Sequence, residues 1–136
     1  MAFRPVKFDS GRVQRLPVKA SEVLTKHNLV KFSAGYIAAA AAEDNEVEYL
    51  SLETVTGGAT DGIVLVDVLP ISDDVEIEAL SQDTPVQATH VGNDYDLQSA
   101  AQIDLDATTD KVFHIDRIVS AADKLVYGRF NRPAIA

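Results

Sequence analysis

A chain of 136 residues suits one domain with a real core and is too short for two of full size. Its apolar share of 46% is ordinary for a globular protein, and the absence of Cys excludes disulfides, Cys-based zinc sites and thiol chemistry. The net charge of −9 is unevenly spread: before residue 32 seven basic residues face only Asp9 and Glu22, and from Glu43 to Asp110 there are seventeen acids with no Lys or Arg.

Two readings fit this charge pattern equally well: a solvated acidic surface, or a basic arm that docks onto an acidic partner while the body faces solvent. The acidic body disfavours nucleic acid as a partner, since it would repel phosphates. No apolar run reaches the length of a membrane span, and "MAFRPVKFDS" holds no signal-peptide core. Folding in the cytosol without a membrane partner is therefore expected.

Residues 1–18 read as an extended basic arm. Phe3, Val6, Phe8, Val13 and Leu16 are scattered among charges, Pro5 and Pro17 oppose helix, and Gly11 permits a turn. Such a segment cannot bury its aromatics alone, so it must lie on its own body, a sister subunit or a partner. The body is expected over 19–131, with a short tail at 132–136 and core strands beginning after Asn28. "ASEVLTKHN" predicts one or two helical turns capped by Ser21. "NLVKF", a turn at "SAGY" and Ile37 predict a strand, a tight connection and a returning strand. Ala38–Ala42 are good helix formers, but no convincing cap precedes Tyr36 and Asn45 interrupts the middle; they are expected to finish the strand and enter a loop.

"EVEYLSLETV" predicts a partly alternating strand stopped by "TGGATDG". "GIVLVDVLPI" predicts a buried strand with Pro70 near its end, and "VEIEAL" alternates Val75, Ile77 and Ala79 against Glu76 and Glu78. "TPVQATHV" leads to the turn "GND" and the strand "YDLQ", and "VFHIDRIV" and "KLVYGRF" form two strands joined by "SAAD". The fold class is all-β: a small β-barrel, β-tulip-like or sandwich module carrying an extended basic N-terminal arm.

No pattern has the layout of a catalytic centre. His27, His90 and His114 lie on different expected elements without metal-site spacing, the serines lack a nucleophile elbow, and Gly57-Gly58 is not followed by a phosphate-binding Lys. "DLDATTD" aligns Asp104, Asp106 and Asp110 but lacks the third ligand, the glycine and the terminal glutamate of a calcium loop, so a polar turn is the preferred reading. Glu76 and Glu78 read as solvated neighbours rather than a glycosidase pair. No catalytic residue, cofactor or metal is expected.

The order of these segments resembles the small head decoration, or cement, proteins of tailed bacteriophages. The likeness covers most of residues 25 to 131, and its specific parts are "VGNDYDL", the "DATT" before "VFHI", and the closing "GRF". The resemblance implies a compact β module on the outer capsid surface, as a homotrimer first and a dimer second, that binds the major capsid protein and fastens neighbouring subunits after the shell expands. The arm would then supply the contact. Phe3 and Phe8 would fill apolar pockets, and Arg4, Lys7, Arg12 and Arg15 would meet capsid acids, with strand addition to a sheet edge on the shell. The competing expectation is an arm folded over its own barrel or a neighbouring subunit. Rival classes are a tail or fibre-base component and a carbohydrate-binding module, the latter poorly supplied with exposed aromatics.

Overall fold

A computed structural model describes residues 3–6, 10–41, 47–72 and 75–131. Its strands are β1 (Phe3–Pro5), β2 (Gln14–Pro17), β3 (Val23–Leu24), β4 (Leu29–Ser33), β5 (Tyr36–Ala39), β6 (Tyr49–Ser51), β7 (Val55–Thr56) and β8 (Leu65–Pro70). They continue with β9 (Ile77–Leu80), β10 (Asp94–Ser99), β11 (Gln102–Asp104), β12 (Phe113–Ser120) and β13 (Leu125–Phe130). One helical turn, α1 (Gln87–His90), falls where the sequence suggested only a lead-in to a turn; the Val86 amide donates to His90 Nδ1 at 2.8 Å and steadies it. The protein is all-β, as the spacing of strands and turn signals predicts.

Eleven of these thirteen strands form two curled sheets, and β3 and β7 pair as a separate two-stranded sheet. Five strands pair in the order β2-β8-β6-β4-β5, and six in the order β1-β9-β13-β12-β10-β11. Each sheet bends back on itself through one parallel bridge. Val18, directly after β2, meets Ile37 of the opposite edge strand β5, and Ser81, directly after β9, meets Ile103 of β11. β1 lies on β9 beside this second closure, with Phe3 opposite Ala79 and Pro5 opposite Ile77.

Local chemistry explains the register. β4 and β5 are joined by Ala34 and Gly35, both at positive φ (51° and 88°), the pair of conformations that matches the right-handed twist of a two-residue hairpin. β5 ends at Ala39, so the alanine run finishes a strand as expected; Ala42 lies outside the described residues. Ala38 and Ala40 are buried, their small side chains permitting close packing. In β13, a Cβ at Gly128 would stand 2.0 Å from the His114 carbonyl oxygen and 2.6 Å from the Phe113 ring, so only glycine allows the two strands to approach over that ring.

The main core lies between the sheets. Leu29, Leu50 and Leu69, neighbours across three strands of the five-stranded sheet, pack into the same cluster as Ile77, Leu97, Ile115, Val126 and the rings of Phe3, Phe113 and Phe130. A second cluster of Val18, Leu24, Val30, Ile37, Val66 and Val68 fills the inside of the five-stranded curl. β4 and β8 pass between the two clusters, burying Leu29 and Leu69 on one side and Val30, Val66 and Val68 on the other. Of the run "GIVLVDVLPI", expected to be a buried strand, Ile63 lies before β8 and, like Leu65, is exposed, so only its second half enters the core.

Three sequence expectations are corrected. The first concerns the arm: β1 and β2 are strands of the two sheets, and Phe3 and Val18 are fully buried, so the core includes residues well before Asn28. Phe3 cannot bury its ring in isolation, and the slot that covers it lies in the chain's own sheet. The second concerns "ASEVLTKHN", which forms β3, paired with β7, instead of a helix. Ser21 and His27 adopt left-handed conformations (φ 61° and 68°) that interrupt helical geometry, while Leu24 is drawn into the second cluster. The third is "EVEYLSLETV", which breaks into β6 and β7. The Ser51 hydroxyl donates to the Glu53 carbonyl at 2.7 Å and the Leu52 amide to the Asp67 carbonyl at 2.9 Å, so the chain turns there and β7 joins β3.

Candidate functional site

The described residues among those expected to dock on a partner do not form one patch. Phe3 packs on Phe113 and Phe130 with ring centroids 6.0 and 5.3 Å away. Arg4 makes a two-pronged contact with Glu78 of β9, Nη2 to Oε2 at 2.9 Å and Nε to Oε1 at 3.3 Å. The hydrogen bond and charge of Glu78 raise the pKa of this guanidinium above its ordinary value. Arg15, on the other sheet, pairs with Asp67 at 2.8 Å and approaches Glu53 at 3.5 Å. Arg12 ends a short 3-10 turn (Ser10–Arg12), and Lys7 and Phe8 lie outside the described residues. Phe3 and Arg4 are thus committed within the molecule, the outcome expected of an arm folded over its own body.

A different group of residues does converge. "VGNDYDL" ends in β10, "VFHI" lies in β12 and "GRF" ends β13, and these three strands are adjacent. Asp94 stands opposite His114, which stands opposite Arg129. His114 Nδ1 is 2.7 Å from Asp94 Oδ1, while its Nε2 is 3.6 Å from Asp116 Oδ1, which Arg129 Nη2 also approaches at 3.6 Å. Asn131 completes the row: its amide nitrogen donates to Asp94 Oδ1 at 3.1 Å and to the Lys111 carbonyl at 2.7 Å.

Beside this row is a depression of ≈ 320 Å³ lined by Asn93, Asp94, Tyr95, Thr108 and Lys111. Burial, with a smaller contribution from the Asp94 charge, raises the Tyr95 pKa above its ordinary value, and its hydroxyl lies 3.4 Å from the Thr89 carbonyl. One wall is the loop containing "DATT". Asp96, 1% exposed, holds that loop: its carboxylate accepts the amides of Thr109 (3.2 Å), Asp110 (2.7 Å) and Lys111 (2.8 Å). Asp104 and Asp106 act within the same region. The Asp104 carboxylate accepts the Asp106 amide at 2.9 Å, and Asp106 accepts the Gln82 side-chain amide at 3.1 Å. Among the described residues no group of three or more His, Asp or Glu side chains converges as metal ligands would.

Chemically, a carboxylate on one histidine nitrogen orients the ring as in an acid–base dyad, but the other nitrogen here faces a second carboxylate where such a dyad would present a nucleophile. The arrangement binds three strands and a loop into a charged, hydrogen-bonded face. Asp96 was not singled out from the sequence; the only sign was an acid flanked by Tyr95 and Leu97, both buried. No protein-family model matches the chain, and no curated protein matches it.

Proposed function

We propose that the protein is a non-enzymatic structural component of a phage virion that binds the outer surface of the expanded capsid and fastens neighbouring major capsid subunits. One observation carries this reading. The three segments on which the resemblance to head decoration proteins rests, separated in sequence, are a single physical unit, with Asp94, His114 and Arg129 in register and Asp96 clamping the intervening loop. Segments that depend on one another for packing are what a shared fold would retain, and this supports the reading.

The proposed contact moves away from Phe3 and Arg4 to the basic residues Lys7, Arg12 and Arg15, which in sequence follow β1 of the six-stranded sheet and lead into β2 of the five-stranded one. Self-association as a trimer, with a dimer as second choice, would place several such segments on one capsomer junction, so each contact could be weak. Imaging expanded empty heads after mixing with purified protein is the test. Regular added density over capsomer junctions is expected; naked heads with decorated tails would replace this reading with the tail-component one. Reversing Lys7, Arg12 and Arg15 to Glu should weaken decoration most at low salt, where exposed charges are least screened.

A further inference from the structure

His27 occupies the junction where β1 meets the end of β6, and it does so at a cost. It is 8% exposed, sits at φ 68°, and its Nδ1 is buried without a hydrogen-bond partner. Its backbone is engaged on both sides. The amide donates to the Ser51 carbonyl at 2.7 Å, and the carbonyl accepts the Phe3 amide at 2.8 Å. β1 is otherwise held by its pairing with β9, the Arg4–Glu78 contact and the Val6 amide donating to the Glu76 carbonyl at 2.9 Å.

A neutral imidazole tolerates this site, because an unprotonated Nδ1 is only an acceptor left unused. An imidazolium would bury a second N–H without an acceptor and would add charge in a poorly hydrated place. The neighbouring charges do not help. Lys26 on the same loop and Arg4 on β1 are cationic; Glu78 on β9 is committed to Arg4, and Glu53 after β6 accepts the Asp67 amide and approaches Arg15. Burial first, and then Lys26 and Arg4, hold the His27 pKa below its ordinary 6.5.

We propose that His27 is an acid-sensitive latch on the amino-terminal strand: its protonation displaces the loop at 25–28, breaks the Phe3–His27 hydrogen bond and releases β1, uncovering the edge of β9 and the Phe3 slot beside Phe113 and Phe130. The sign follows from linkage. The released state binds the proton at the ordinary histidine value and the docked state only below it, so docking is complete above about 6.5 and is lost as pH falls through the depressed value. The latch does not rest on the capsid reading.

Amide exchange by NMR on the whole chain tests it, with rates expressed as protection against the intrinsic rate at each pH. Between about pH 7.5 and pH 5 the Phe3 and Val6 amides should lose protection, because the released state binds the proton more tightly than the docked one. The Asn131 amide, which donates to the Val112 carbonyl at the other end of the six-stranded sheet, should keep its protection. His27→Asn accepts the left-handed backbone and cannot be protonated, so it should retain β1 at the lower pH. Equal loss in wild type and His27→Asn, or no loss in wild type, overturns the proposal. Should His27→Asn fail to fold, the His27 ring is titrated in the wild type. A ring that charges together with the Phe3 and Val6 changes supports the latch, and one that charges while both amides stay protected sinks it.

Discussion

The five-stranded sheet curls around six aliphatic residues, Val18, Leu24, Val30, Ile37, Val66 and Val68, whereas the core that the six-stranded sheet shares with it is built around Phe3, Phe113 and Phe130 and the aliphatic side chains of both sheets. The three rings lie within 5.1 to 6.0 Å of one another in tilted or edge-on arrangements, the geometry that aromatic quadrupoles favour. Each sheet nevertheless closes through one parallel bridge, Val18 to Ile37 and Ser81 to Ile103. The buried Ser81 hydroxyl at the six-stranded seam donates to the Asp83 carbonyl at 2.6 Å, whereas the similar contact of Ser51 with the Glu53 carbonyl at 2.7 Å ends β6 in the middle of the five-stranded sheet. Closure by a single parallel bridge thus tolerates very different fillings. Stability should be concentrated on the aromatic side, because aromatic rings bury the largest apolar area.

Four substitutions would break or sharpen that contrast. Phe113→Ala should be the most damaging, at about 3–5 kcal/mol in urea denaturation, since it removes the ring that Phe3, Phe130 and Gly128 all pack against. A loss no larger than that of an aliphatic trim would mean the rings are not the anchor. Asp96→Asn should cost about 1–3 kcal/mol, because an amide cannot accept three backbone N–H groups with both of its heteroatoms. Exchange at Thr109, Asp110 and Lys111 should accelerate with it; unchanged exchange there would show that the loop holds itself. The half-buried carboxylates set against the five-stranded sheet, Glu22 before β3 and Glu53 after β6, accept one backbone amide each, from Ala39 and Asp67, and offer no equivalent clamp.

Ile37→Val should cost about 0.5–1.5 kcal/mol, a methylene lost from the small cluster at the Val18 bridge. A larger effect, measured by the same denaturation, would place more of the stability in the five-stranded seam than its filling suggests. Arg15→Ala should change stability least, by about 0.2–1 kcal/mol, as both Arg15 and Asp67 are substantially exposed. A shift in melting temperature as large as that of Ile37→Val would instead make this exposed pair part of how β2 is held.

Most of the β architecture was legible because its signals are local. The Ala34-Gly35 turn, the alternation of Val75, Ile77 and Ala79 against Glu76 and Glu78, and the β12–β13 pair each lie within a few residues of sequence. What could not be read depends on contacts made at long range. Nothing near Phe3 says that its ring will meet Phe113 and Phe130, so a short segment of mixed charge and aromatics reads equally well as an arm for a partner. The helix expected after Ser21 failed for a similar reason: Leu24 is claimed by the second cluster and paired to Val55, and tertiary burial outweighs a few residues of helical preference. Of the candidate site, the sequence marked the segments but not their register, and Asp96 owes its role to three amides more than ten positions away.

The placement of Phe3 also fixes an order of events during synthesis. Its ring slot is complete only when Phe130 is present, and β9, on which β1 lies, takes its other neighbour from β13. A nascent chain must therefore carry Phe3 exposed until nearly all of the described sequence has left the ribosome, and long-range pairings of this kind fold slowly. Until that moment the β9 edge and an unburied aromatic are both open to the wrong neighbour, so exchange of β1 between copies should become more frequent as expression grows crowded.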